Sequence, residues 1–265
     1  MSSWSAKNPY MSKVTECYVL NGEGSRKETR HIVFDLGDSG LDYKVGDALG
    51  VLAENPQNTV DLLIETAGWD ADHLVTTHNG ERTLSEALKK DFEIHRVNKK
   101  FVNSLTNKVT STGMRITVKL IERYRESVAG QGSGWMSSDS SLGDEILPSI
   151  PGDDPVGRVE HLTTDADAME DYIWSRDYID VMNDFDVSYT PEEFLELADK
   201  LKPRLYSIAS SHDVHPGFVE LTVGIVRYSH HGRDRGGLCT VYMADEVEIN
   251  KTCLLYTSPS PRDFV

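Results

Sequence analysis

Four consecutive residues, Arg204-Leu205-Tyr206-Ser207, put a guanidinium, an aromatic ring and a hydroxyl on what reads as one short strand within the run 202–211. A flavin dinucleotide asks for that set of groups. Its pyrophosphate takes a delocalised cation with several donors, which arginine supplies better than lysine. Its flat, apolar ring system takes an aromatic face, and a small hydroxyl donor suits the reactive edge. An ordinary surface strand also carries Arg and Tyr on one face, because strand side chains repeat every second residue. The four residues alone therefore leave a ligand site and a solvated strand both open.

Two later blocks bear on the choice: Leu221-Thr222-Val223-Gly224-Ile225-Val226-Arg227-Tyr228, and Arg235-Gly236-Gly237-Leu238-Cys239-Thr240-Val241-Tyr242. With the Ile208-Ala209-Ser210-Ser211 continuation, the three blocks resemble in order and spacing the flavin motifs of the ferredoxin–NADP reductase superfamily. They are most similar to those of the NADPH-sulfite reductase flavoproteins. The resemblance implies FAD as cofactor. It assigns Arg204 to the pyrophosphate, Leu205 and Tyr206 to packing on the flavin, and Ser207 to a catalytic position beside the flavin nitrogen that receives hydride. Thr222, Val223 and Gly224 then border the ring, and Tyr228 sits near the dinucleotide. Gly237, Leu238, Cys239 and Thr240 form the turn whose amides meet the pyrophosphate, although small residues are usual where Leu238 and Cys239 stand. The physics of that turn is general: the free N–H groups and positive dipole end of a helix start attract anions. His95 occupies a place where the family usually has a threonine, and no adenine contact is carried over to it.

The first hundred residues agree with the same family. His31-Ile32-Val33-Phe34 reads as a strand, Asp38-Ser39-Gly40 as a turn, and Ala48-Leu49-Gly50-Val51-Leu52 as a buried strand whose glycine permits a bulge or a close neighbour. From residue 55 the pattern turns helical: Asn55-Pro56 opens a helix that Gly68 closes, and Thr83 caps a second. Further helices are predicted over 99–105, 165–174, 176–183 and 191–201, the last with Thr190 as cap and Pro191 in its first turn. The resemblance implies a fold class mainly β plus α, an antiparallel Greek-key FAD-binding barrel with an inserted helical connecting region, and these segments fit it. The predicted parts are 1–72 and 201–249 for the barrel, 73–200 for the insertion, and 250–265 as a non-native tail.

Within the insertion, residues 127–157 are rich in Gly, Ser, Asp and Pro, a composition that buries too little apolar area to offset the entropy of ordering. They read as a mobile segment, with Trp135 and Met136 as a small docking spot. The chain has 27 basic and 43 acidic residues and a net charge of −16, which disfavours nucleic-acid binding and favours basic partner surfaces. No apolar run reaches membrane-spanning length and no signal peptide opens the chain, so a cytoplasmic location is expected. Cys17, Cys239 and Cys253 lack metal spacing and read as reduced thiols. No metal site is expected, and His230-His231 reads as a solvated loop pair.

The family's activity passes electrons from NADPH through FAD towards a flavodoxin-like or haem sulfite reductase partner, and FAD supplies the redox chemistry. Two alternatives remain open: an FAD-binding interaction module without nicotinamide chemistry of its own, and a diflavin or cytochrome reductase with another acceptor. No dinucleotide-binding turn follows residue 247, and Pro259 and Pro261 argue against a core strand in the tail. The tail resembles translated adapter sequence. On this reading the chain is a truncated piece, lacking both a preceding flavodoxin-like module and the NADPH domain and inactive with NADPH alone.

Overall fold

Apolar, aromatic and β-branched residues, alternating with polar ones in β1 and in runs in β2 and β3, turn the first fifty residues into three strands: β1 (Tyr10–Val19), β2 (Glu28–Asp35) and β3 (Ala48–Leu52). The computed structural model describes residues 4–109, 154–247, 249 and 252–258. Its chain separates into one unit of Met1–Ile64, Asp70–His95 and Asp199–Val265, and a second of Glu65–Trp69 and Arg96–Ala198. The hairpin of β4 (Leu74–Thr77) and β5 (Gly80–Thr83) and the helix α2 (Leu84–Lys90) therefore group with the strands. The sequence pattern had put them in the helical insertion.

The first unit is built on an antiparallel sheet. Beyond β3 it contains β6 (Arg204–Ser207), β7 (Phe218–Ile225) and β10 (Thr252–Ser258), in the order β6-β3-β10-β1-β2-β7. Its two edges meet through a single bridge, Ile208 with Leu221, so the barrel curls towards closure without a continuous last ladder. Ala209 N–H donates to Glu220 O at 2.8 Å, and the Ser210 hydroxyl accepts the Glu220 N–H at 3.0 Å. Tyr43 pins this seam from below, its phenol within 2.7 Å of the Ser210 hydroxyl and donating to Phe218 O at 2.8 Å. Inward-facing Val14, Ile32, Phe34, Leu49, Val51, Val219, Leu221, Val223 and Leu255 form the core. The short helix α8 (Leu238–Val241) continues into a wider π turn, Tyr242–Glu246, and adds Leu238, Cys239 and Met243 to that core.

β10 corrects one expectation. The prolines argue against a core strand in 250–265, but Thr252–Ser258 is one: it lies between β3 and β1, with Cys253 and Leu255 buried. The stretch Cys-Leu-Leu-Tyr-Thr suits a pleated, half-buried surface, and both prolines follow the strand in sequence, so neither removes a donor from its ladder. Gly50 meets its close neighbour here, since a Cβ on it would stand 2.2 Å from the Tyr256 ring. Two hairpins absent from the sequence reading also form. One is β4–β5. The other joins β8 (Arg227–His230) to β9 (Arg233–Gly236) through His231 and Gly232, both at positive φ as a tight two-residue turn requires.

The second unit is helical. Its helices are α3 (residues 99–109), α4 (Pro155–Thr164), α5 (Ala166–Trp174), α6 (Tyr178–Phe185) and α7 (Pro191–Leu197). They pack around Phe101, Tyr178 and Phe194, whose rings lie 4.8–5.9 Å apart in edge-to-face contacts. Asp177 and Asp180 form a capping box on α6, and Thr190 and Glu193 form one on α7. Arg176 pairs with Asp184 at 2.8 Å. Arg176 and Asp177 thus serve the helices themselves, one as an ion-pair partner and the other as a cap. α7 ends before residue 201 because Lys200 leaves the helical path to bridge Phe92. Residues 154–157, read as mobile, start α4: Asp154 caps it and Pro155 fills its first turn. The rest of that segment, with Trp135 and Met136, lies outside the described residues.

Leu221 is fully buried and sits beside the seam bridge. Leu221→Ala is expected to cost about 2–5 kcal/mol in urea unfolding, whereas Met11→Ala, at a residue 63% exposed, should stay within about 0.5 kcal/mol.

Candidate functional site

Strand pairing sorts the Arg204-Leu205-Tyr206-Ser207 side chains onto two faces. Arg204 stands opposite Val51 and Tyr206 opposite Leu49, both core residues, while Leu205 and Ser207 stand opposite Gly50 and Ala48 on the outer face. Tyr206 is half-buried, and its phenol meets the Cys239 thiol from the first turn of α8. Burial, the Cys239 contact adding to it, raises the phenol above its ordinary value. Burial likewise pushes the Cys239 thiol up to about 11, so it stays neutral. This one contact brings β6 and the start of α8 together, two segments that sequence alone leaves more than thirty residues apart.

The turn into α8 is locked from within. Gly237 N–H donates to Val226 O at 2.9 Å. The Thr240 hydroxyl donates to Gly237 O at 3.0 Å and accepts the Val226 N–H at 3.3 Å. A Cβ on Gly236 would lie 2.3 Å from Val241 Cγ2, and one on Gly237 2.8 Å from Thr240 Oγ1. Both positions need glycine for close approach. Leu238 and Cys239 send their side chains into the core at 5% and 2% exposure, so their bulk does not block the helix start. The amides of Leu238, Cys239 and Thr240 have no carbonyl four residues earlier in the helix. The Thr240 proton is committed to Gly237 O, which leaves those amides as the donors of the turn.

On β7, Thr222 and Gly224 face outward and Val223 is 2% exposed in the core, so Val223 reaches any ligand through its main chain alone. Tyr228 on β8 is 44% exposed. The helix is held at its other end by charges the sequence reading did not single out. Arg227 donates to both Asp245 oxygens, at 2.7 and 2.8 Å, and to Glu28 at 3.0 Å. Arg30 donates to Glu28 at 2.7 Å and to Ala244 O at 2.7 Å. The hydrogen bond from Arg227 holds the Glu28 and Asp245 carboxyls below their ordinary values, against the opposing effect of burial.

Glu93 was also missed. Its Oε2 accepts from Arg204 Nη2 at 2.6 Å, and its Oε1 faces His95 Nδ1. Phe92 and Ile94 are buried, and this alternation, visible in the sequence, places Glu93 and His95 together on the other face. His230 lies at the β8–β9 turn, exposed and stacked at 4.6 Å on His231. A separate polar cleft of about 240 Å³, lined by Glu54, Asn55, Gln57, Lys89, Tyr242, Glu246 and Val247, includes none of the twelve candidate residues. Among the described residues no cluster of His, Cys, Asp or Glu is arranged to hold a metal, and no helix is long and apolar enough to cross a membrane.

A cation on β6, an aromatic ring beside it and an open helix start behind a double glycine thus come together in one unit. A family model described as an FAD binding domain matches residues 2–120 and 157–242. The chain belongs to this family. It is similar to the sulfite reductase [NADPH] flavoprotein alpha-component of Bacillus subtilis (strain 168), 34% identical over 258 residues, covering 96% of this chain and 36% of that protein. The like-named protein of Mannheimia succiniciproducens is 28% identical over 258 residues, with 97% and 36% covered. That of Pectobacterium atrosepticum is 31% identical over 246 residues, with 93% and 33% covered. The chain spans about a third of the length of these curated relatives. The match to the family model covers the residues of all three flavin-type blocks and the opening strands.

Two outcomes follow from the electrostatics. A carboxyl depressed in the folded state contributes stability above its unfolded value, 4.5 for Glu28, and loses it as pH falls through the folded value. Arg227→Met should therefore lower the urea midpoint near neutral pH and make the further loss on acidification through the carboxylate range shallower than in the wild type. Separately, Cys239 and Cys253 are buried, neutral thiols and Cys17 is half-buried. Mass spectrometry after brief iodoacetamide treatment at pH 8 should find Cys17 alkylated first, with Cys239 and Cys253 labelled only after unfolding.

Proposed function

We propose that this chain is the FAD-holding electron-transfer module of a sulfite reductase-type flavoprotein, in which electrons enter from NADPH and leave towards a haem sulfite reductase subunit. The observation that carries the reading is the seating of Cys239 against β3, its thiol 3.9 Å from Val51 O while Val51 pairs with Arg204, because it sets the Arg204 strand beside the start of α8. A pyrophosphate needs a cation and free amides together, and this arrangement offers both within one unit.

In this reading Arg204 binds one phosphate through charged hydrogen bonds, and the amides of Leu238, Cys239 and Thr240 bind at the helix start. Gly236 and Gly237 keep that start clear of side chains. The partly exposed edge of the Tyr206 ring and the Leu205 side chain pack on the flavin. The outward Thr222 and the main chain of Val223 and Gly224 border it, and Tyr228 flanks the dinucleotide. Ser207 supplies a hydroxyl on the face opposite Tyr206 and is the proposed catalytic residue. Bound FAD would supply the redox chemistry. The names of the relatives favour sulfite over another acceptor, and NADPH and the haem partner belong to the whole protein of which such a module is a part. A cytoplasmic setting accords with that role.

The test is cofactor binding. The protein stripped of flavin should take up FAD in preference to FMN, since FMN lacks the pyrophosphate. Charged hydrogen bonds of this kind contribute about 1.5–3 kcal/mol, so Arg204→Ala should weaken FAD by roughly tenfold or more and Arg204→Lys by less. His230→Ala and His231→Ala should leave affinity unchanged. Equal affinity for FAD in the wild type and Arg204→Ala, measured by fluorescence titration, would remove Arg204 from the site.

A further inference from the structure

We propose that Glu93 is a positioning residue for the cofactor: its carboxylate, backed by His95, fixes the Arg204 guanidinium in the orientation from which it meets a pyrophosphate. The inference rests on the Arg204 assignment above and extends it to a residue more than a hundred positions away in sequence.

The contact is built by main-chain pairing. Leu201 N–H donates to Asp91 O and Glu93 N–H to Asp199 O, both at 2.8 Å, and Phe92 bridges Lys200. That short ladder lays residues 91–93 alongside 199–201, three residues before Arg204. With Phe92 and Ile94 turned into the core, Glu93 faces Arg204 and His95 closes on the other carboxylate oxygen. The Glu93 side chain is 13% exposed and that of Arg204 38%, so the pair is covered on the Glu93 side and open on the Arg204 side. Arg204 Nη1 also donates to Lys202 O at 2.9 Å. These two bonds engage two of the five guanidinium N–H groups and hold the planar fork at two points. Arginine carries a large rotamer entropy, and a fork already held loses less of it on binding.

A carboxylate so near also subtracts from the attraction between Arg204 and an anion. The covered geometry decides which effect prevails. Burial alone would raise the Glu93 carboxyl, but the His95 and Arg204 contacts outweigh it and hold the group below its ordinary value, so it stays a carboxylate, and its bond to Arg204 has a fixed direction. It therefore acts on Arg204 chiefly through direction, while the open side of the guanidinium keeps its donors for a ligand.

The experiment is a double-mutant cycle on the full 265-residue chain stripped of flavin, read by FAD titration. Glu93→Gln is expected to weaken FAD about tenfold, and the same change in an Arg204→Ala background by less than about twofold, because neighbours that act through one another are not additive. Glu93→Asp, which keeps the charge but withdraws it by one methylene, should fall between wild type and Glu93→Gln. It carries the cycle if circular dichroism shows Glu93→Gln unfolded. A loss that persists undiminished without Arg204 would make Glu93 a general scaffold residue and overturn the proposal. Unchanged or tighter FAD binding in Glu93→Gln would also overturn it, the latter showing that the carboxylate competes with the cofactor. If Arg204→Ala itself binds FAD like the wild type, the site assignment fails first and this inference with it. If Arg204→Ala weakens FAD and Glu93→Gln does not, only the inference fails.

Discussion

Everything at the candidate site depends on how closely a helix start can lie against one strand end. Gly236 and Gly237 let the chain pass the main chain of Val226 at hydrogen-bond distance, and a Cβ there would meet Val241 at 2.3 Å or Thr240 at 2.8 Å. Leu238 and Cys239 then become core residues, and Cys239 reaches Tyr206. A larger residue at either glycine would displace the first turn as a body, separating the free amides from the Arg204 strand. Steric closeness at two positions thus fixes the relation between the two halves of the proposed anion site.

The cations around this arrangement are anchored before any ligand arrives. Arg204 is held by Glu93, Arg227 by Asp245 and Glu28, and Arg30 by Glu28 and the Ala244 carbonyl. In a chain of net charge −16, loose arginines would find some carboxylate in any case, and the structure chooses which one. The two groups differ in kind. The Arg227 set is largely exposed and works against salt and water, so each pair contributes modestly. Glu93 is covered, where a charge is tolerated only with partners in good geometry, and directional control is correspondingly firmer.

Much of this was legible in the sequence, for local reasons. The strands β2 and β3 follow from runs of apolar and β-branched residues, and the caps at Thr83, Asp165, Asp177 and Thr190 from side chains that satisfy free helix amides within three residues. The site blocks were readable because each packs several chemical demands into a few neighbouring positions. What escaped notice required knowledge of pairing. Glu93 meets Arg204 only through a short ladder between distant segments, and the Arg30–Glu28–Arg227–Asp245 set unites three separate stretches. β10 was hidden for a different reason: its polar flanks and following prolines dominated the composition, while five residues with good strand character decided the outcome. α4 was masked in the same way by the glycine and serine before it.

The order of strands in the sheet also bears on how the protein comes into being. β2 is flanked by β1 from its own half of the chain and by β7 from beyond the helical insertion, and β3 pairs with β6 across the same gap. Contacts so distant in sequence require closing a long loop before they stabilise anything, which slows folding. At a synthesis rate of about 5–20 residues per second, the first three strands wait roughly ten seconds or more for their later partners to leave the ribosome. During that interval β2 and β3 carry open edges, and an unpaired edge is a template for other chains. The helical unit, whose residues come between those strands in sequence, can pack its own aromatic core in the meantime. The candidate site, which needs β6, β7 and α8 together, therefore forms only after these distant pairings are made.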